Sequence, residues 1–151
     1  MNQYLQAMMR TLSFSSISSE VNRKQAWTLI TDLNHWNRWD FNILRSSLLQ
    51  RKLVPGALFS VKHRDFIETR AMITELDRYR SFAFRIRFLL AAMDRKFILE
   101  ETEGGLKLTI STSITGMLSW FWRIAVMHKI LDDTPEDLSL IMHHAQRIKI
   151  Q

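Results

Sequence analysis

The chain has 151 residues, 46% of them hydrophobic, with 4 glycines, 2 prolines and no cysteine. That describes one compact globular domain, too short for a separate cofactor domain, and it excludes disulfide scaffolds, thiolate zinc sites and cysteine nucleophiles. The formal net charge of +6 invites an anionic partner, but the arginines are dispersed from Arg38 to Arg95 with no run of like charges. The reading is a basic solvated surface, with no specific nucleic acid expected.

The start, MNQYLQAMMRTLSF, has no cationic stretch leading into an apolar core, so no secretory signal is expected. No apolar run approaches the roughly 18 residues a membrane span requires. Together with the missing cysteines this reads as a soluble protein of the cytoplasm. From Arg10 to Val21 the residues alternate imperfectly and are rich in Ser, Thr and Phe, which predicts a first strand with an irregularity near Ser15-Ser16. Asn22 and Gln25 form the two ends of a capping box, and Ala26, Trp27, Leu29 and Ile30 give the helix that follows an apolar stripe. Asp32, Asn34 and Asn37 offer side-chain hydrogen bonds that compete with the helix, so it is short, with another turn or two around Leu33 to Trp36.

After Asp40 the period changes to two. Residues 42 to 53 predict a strand, Pro55-Gly56 a turn, and Phe59, Val61 and His63 alternate with polar neighbours. Ile67, Thr69, Ala71 and Ile73 form the next alternating set. Phe82, Phe84, Ile86 and Phe88 lie on one face of a further strand, with Ala83, Arg85 and Arg87 on the other. Arg95 to Glu101 places Phe97 and Leu99 inward, the Glu103-Gly104-Gly105 step turns the chain, and Leu106, Leu108, Ile110, Thr112 and Ile114 return. Consecutive strands with such short connections pair antiparallel.

From Met117 the period becomes helical. Leu118, Phe121, Trp122, Ala125, His128 and Leu131 mark one face of a first segment that also carries Trp120 and Ile124. Asp132-Asp133-Thr134-Pro135 interrupts it, with Thr134 as N-cap and Pro135 at the first position of a second segment. There Leu138, Ile141, Met142, Ala145 and Ile148 form the apolar stripe.

This order, with the run Ala26-Trp27-x-Leu29-x-Thr31-Asp32-x-x-x-Trp36-x-x-Trp39, resembles the START/SRPBCC superfamily, the helix-grip fold shared by birch-pollen-type allergens and polyketide cyclase-like proteins. Gly56 and Gly104-Gly105 fall where that family usually has glycines. The resemblance covers nearly the whole chain as a single domain. It implies an α+β fold: an antiparallel sheet of about six to seven strands curled around a long C-terminal helix, with two short helices after the first strand. It also implies a mostly apolar cavity between sheet and helix. It implies no single activity, because the superfamily includes carriers, receptors, cyclases and oxygenase subunits. No catalytic residue set is carried over from it.

The five histidines show neither HxxxH nor HExxH spacing and have no carboxylate cluster beside them, so neither a metal nor another cofactor is expected. His63 shares the inward parity of Phe59 and Val61. In an apolar cavity an imidazole acts as a base or orients a ligand's polar group; at a strand end it reaches solvent or a carbonyl instead. No GxSxG and no phosphate loop occur. The expected partner is a hydrophobic or amphipathic small molecule, with Trp36, Trp39, Phe59, His63, Phe82, Phe84, Phe97, Trp120 and Ile124 as candidate lining residues and Arg38 as a further candidate contact. Two alternatives stand beside carriage. One is a cyclase- or dehydratase-like enzyme; the other is a membrane or protein interaction module using Trp120-Phe121-Trp122, flanked by Arg123 and Lys129. Nothing in the sequence specifies the oligomeric state.

Overall fold

The computed structural model describes residues 10–124 and 128–150, without the side chains of 10 and 128–132. Ala125 and the side chains of His128 and Leu131, three positions of the expected helix face, lie outside the described residues. The elements are β1 (Arg10–Ser18), α1 (Arg23–Thr31), a 3-10 segment (Leu33–Arg38), β2 (Ile43–Leu48), β3 (Leu58–His63), β4 (Thr69–Asp77), β5 (Ser81–Phe88), β6 (Ala91–Thr102), β7 (Gly105–Thr115), α2 (Ser119–Trp122) and α3 (His128–Ala145). Seven antiparallel strands form one sheet in the order β1-β7-β6-β5-β4-β3-β2. Only the β1–β7 pairing joins strands distant in sequence, and α1 with the 3-10 segment fills the connection from β1 to β2.

Alternation decides which face is buried. On β7, Leu106, Leu108, Ile110, Thr112 and Ile114 are all buried while their neighbours are half-exposed. The register sets Phe97 opposite Ile110 and Leu99 opposite Leu108, so inward side chains stack across strands. The β1–β7 register runs unbroken from Arg10↔Ile114 to Ser18↔Leu106, so the irregularity expected at Ser15-Ser16 is absent. Ser13 donates to Ser111 at 3.1 Å, and the Ser15 and Thr109 hydroxyls lie 2.9 Å apart. Hydroxyls that would otherwise compete for local backbone bonds are occupied across the strands.

The capping box forms, with the Gln25 amide donating to Asn22 Oδ1 at 2.9 Å and the Asn22 amide to Gln25 Oε1 at 3.0 Å. Ala26, Trp27 and Ile30 are the buried face of α1. β2 stops at Leu48 instead of reaching residue 53: the Leu58 amide donates to the Gln50 side chain at 3.2 Å, which takes up a ladder donor. β6, by contrast, starts at Ala91, before Arg95. Gly105 (φ +117) follows the Glu103-Gly104 turn, and a Cβ there would lie 2.2 Å from the Ser18 carbonyl oxygen. Only glycine lets β1 end so close to this hairpin.

The C-terminal helix differs most from expectation. No break occurs at Asp132–Pro135; α3 runs through Pro135. An interior proline costs about 3 kcal/mol through a lost ladder bond and a clash. Against this, Leu138, Ile141, Met142 and Ala145 are buried and α3 packs on β1, β7 and α1. Burial of each large side chain is worth about 1.5–3 kcal/mol, enough to hold the segment in one helix. No described helix is long and apolar enough to cross a membrane.

Candidate functional site

The inward face of the sheet is furnished differently at its two ends. Near the 3-10 segment, Trp36 is buried and its indole N–H donates to the Ile30 carbonyl at 3.0 Å. Around it lie Phe59, Phe84 and Phe82, at ring-centroid distances of 5.4, 5.7 and 6.4 Å, with Phe97 also at 6.4 Å. Edge-to-face and tilted contacts of this kind add to the burial of the rings. Trp39 packs edge-on to Trp36 at 6.0 Å, with its own indole N–H buried and without a partner among the described residues.

Beyond Phe84 the interior opens into a cavity of about 650 Å³. Trp36 and Phe84 close its aromatic end, and Ile86, Phe88, Met93 and Trp122 supply apolar wall. Trp122 is fixed over the β5–β6 turn: its ring stacks on Phe88 at 4.8 Å, and its N–H donates to the Leu89 carbonyl at 2.8 Å.

One wall is charged. Asp40 follows the 3-10 segment, Arg95 lies on β6 and Asp137 on α3, and all three line the cavity with Asn42, His63 and Asp133. Arg95 Nη2 donates to Asp137 Oδ2 at 3.0 Å and to Thr134 Oγ1 at 3.4 Å. The pair is nearly dry, with side-chain exposures of 13% and 7%. Burial pushes the Asp137 carboxyl up to about 7; the Arg95 charge and hydrogen bond oppose this, and Asp40 and Asp133 add to it. Burial also raises Asp40, against the Asn42 amide at 2.9 Å and the charges of Arg95 and His63. One guanidinium thus serves two buried carboxyls. Through Asp137 the wall holds a proton exchangeable near neutrality, and its other groups orient a polar ligand atom.

Three of the residues expected from the sequence, Trp36, His63 and Phe84, line the cavity. His63 accepts a hydrogen bond from the Asp65 amide at 3.4 Å and packs against Phe66 at 5.0 Å. Phe59, Phe82, Phe97 and Trp39 are buried in the aromatic core and do not reach the lining. Trp120 and Ile124 face outward, 58% and 74% exposed, and Arg38 is exposed as well; it is Trp122 that turns inward. Sequence reading passed over Arg95 and Asp137, yet both carried a signal. Arg95 shares the inward parity of Phe97 and Leu99, and Asp137 falls three residues after Thr134 and four before Ile141, on the buried stripe. Among the described residues, no three His, Asp or Glu converge to hold a metal ion.

No family model matches the sequence, and no curated protein resembles it closely enough to align. The fold, in contrast, has many solved counterparts. Ara h 8.0201 superposes with a TM-score of 0.69 at 15% identity, over 91% of this chain and 97% of that one. The di-domain ARO/CYC protein StfQ from the steffimycin biosynthetic pathway gives 0.76 at 13%, over 95% of this chain and 53% of its own. A hypothetical protein of Helicobacter pylori gives 0.75 at 14%, over 90% and 88%. This chain therefore spans about half of the di-domain protein and nearly all of Ara h 8.0201. The seven-stranded antiparallel sheet with its C-terminal helix is a helix-grip fold, shared with these solved structures.

Proposed function

We propose that the chain binds and carries a hydrophobic or amphipathic small molecule, lipid-like or polyketide-like, in the cavity between sheet and C-terminal helix. The observation that carries this reading is a cavity of about 650 Å³ whose walls are mostly apolar but include one charged face. Sites for small molecules have volumes on the order of 300–1,000 Å³ and combine apolar walls with a few fixed polar groups. In this reading Trp36, Phe84, Ile86 and Phe88 contact the apolar body, and His63 and the Asp40–Arg95–Asp137 wall receive the polar group. Trp39, Phe59, Phe82 and Phe97 hold Trp36 and Phe84 in place from behind. The lack of cysteine fits a reducing cytoplasm.

Nile red, a neutral apolar dye, tests the reading. Its emission rises on binding to the parent, and Val61→Phe, which projects a ring into the cavity, weakens binding at least about fivefold. If Val61→Phe binds the dye as the parent does, the cavity is not the site.

A cyclase-like enzyme is the second reading, favoured by one observation: a carboxyl with a pKa of about 7 in the same cavity as an imidazole. Such a carboxyl can take and return a proton at neutral pH, with the imidazole placed to orient the substrate. A parent that does not turn over a poly-ketone substrate would dismiss this reading, and turnover that persists in both His63→Gln and Asp137→Asn would dismiss these two groups as its proton carriers.

A further inference from the structure

The β5–β6 turn and the segment after β7 are bound into one platform. The Leu118 amide donates to the Leu90 carbonyl at 3.2 Å, and Trp122 Nε1 to the Leu89 carbonyl at 2.8 Å. Gly116 (φ +111) allows the contact, since a Cβ there would lie 2.4 Å from the Leu90 carbonyl oxygen. The platform displays apolar side chains that are exposed among the described residues: Leu89 is 69% exposed, Met117 71% and Ile124 74%, with Leu90, Trp120 and Phe121 also exposed. Dispersed apolar side chains are ordinary on a surface; a contiguous set on two joined loops is not.

The charge carried by the platform's own two segments has one sign. Arg87 precedes the first loop and Arg123 lies within the second. No carboxylate occurs between Asp77 and Asp94, nor between Glu103 and Asp132. The acids near the cavity mouth, Asp65 and Glu68, sit on the β3–β4 connection, where Glu68 pairs with Arg45 at 3.3 Å. Apolar side chains including tryptophan, bordered by arginine and free of acids, match an anionic lipid interface: rings and aliphatics enter the acyl boundary while guanidiniums meet phosphates. Leu89 and Trp122 belong both to this platform and to the cavity wall.

We propose that the surface formed by the β5–β6 turn and residues 117–124 docks on an anionic lipid bilayer, setting the cavity mouth against the membrane. This goes beyond ligand carriage and does not depend on what fills the cavity.

Flotation with vesicles tests it, comparing phosphatidylcholine alone with phosphatidylcholine mixed with phosphatidylglycerol. The parent floats with the anionic vesicles, at least about tenfold more than with the neutral ones, and added salt reduces this by screening. Leu89→Ser combined with Ile124→Ser lowers the bound fraction at least about tenfold, and Met117→Ser lowers it less. All three sites are exposed, and unchanged thermal melting verifies the fold. Val61→Phe floats like the parent, which separates docking from cavity occupancy. The proposal is overturned if the parent stays unbound, or if the Leu89/Ile124 variant floats undiminished. It is also overturned if the platform instead drives a concentration-dependent dimer that this variant dissociates and no vesicle binding is seen.

Discussion

The two ends of the sheet's inner face begin from the same strands and end in different physics. At one end Trp36, Phe59, Phe82 and Phe97 fill the space ring against ring. At the other the same strands continue as Ile86, Phe88 and Met93 around an open volume, faced by Arg95, Asp40 and Asp137. Both ends descend from one alternating pattern, Phe82-x-Phe84-x-Ile86-x-Phe88. What differs is the covering element: the 3-10 segment and the residue that caps it bring Trp36 and Trp39 into one end, whereas α3 brings Asp133 and Asp137 to the other. Parity therefore selects the face that is buried, and the covering side chains decide whether that burial becomes core or cavity.

The largest effect that separates the ends is truncation. Phe59→Ala, at a fully buried ring, should cost about 3–5 kcal/mol in urea unfolding. Phe88→Ala, half-buried on the cavity wall, should cost only about 1–2 kcal/mol, because its ring has fewer neighbours to lose. Equal losses would mean that the second end is as tightly packed as the first.

Titration comes next. Burial pushes the folded Asp137 carboxyl up to about 7, against an ordinary aspartate value of 3.8, so its bound proton stabilises the native state fully below about 3.8. That contribution fades as pH rises to about 7. Between those two values Asp137 makes the protein up to about 4 kcal/mol less stable above pH 7 than at pH 4. Asp40, also raised, acts in the same direction. Denaturant melts across this range should show Asp137→Asn flattening the slope; an unaltered slope would mean that Asp137 is not the group responsible.

Addition of volume is the smaller contrast. Ala71→Leu, at a site with no exposure among packed strands, should lose about 1–3 kcal/mol by overpacking. Val61→Phe, beside the open volume, should change stability by less than about 1 kcal/mol, because the ring has room. Thermal melting of the two variants measures the difference.

The sequence disclosed the two ends unequally. The burial of the aromatic end was legible because alternation and the Trp36/Trp39 spacing are strong periodic signals, but its solid packing was not, since Trp39, Phe59, Phe82 and Phe97 were expected along the cavity. The open end was obscured because its polar wall is assembled from Asp40, Arg95 and Asp137, which are far apart in sequence and each unremarkable locally. Arg95 and Asp137 nevertheless stood on buried faces by parity and helical spacing, and a charge at such a position requires a partner. The orientation of 117–124 was not readable, since the segment is apolar nearly all round and only the contacts with Leu89 and Leu90 show that Trp122 turns inward. Pro135 misled in the opposite sense: its local preference for a helix start was overridden by burial of the stripe after it.

Native mass spectrometry of the protein purified from its own host tests the central claim most directly. The account predicts a retained small molecule of amphipathic character, lost or reduced in Val61→Phe at unchanged fold. A protein that carries no extra mass, together with failure of the parent to take up Nile red, would contradict it.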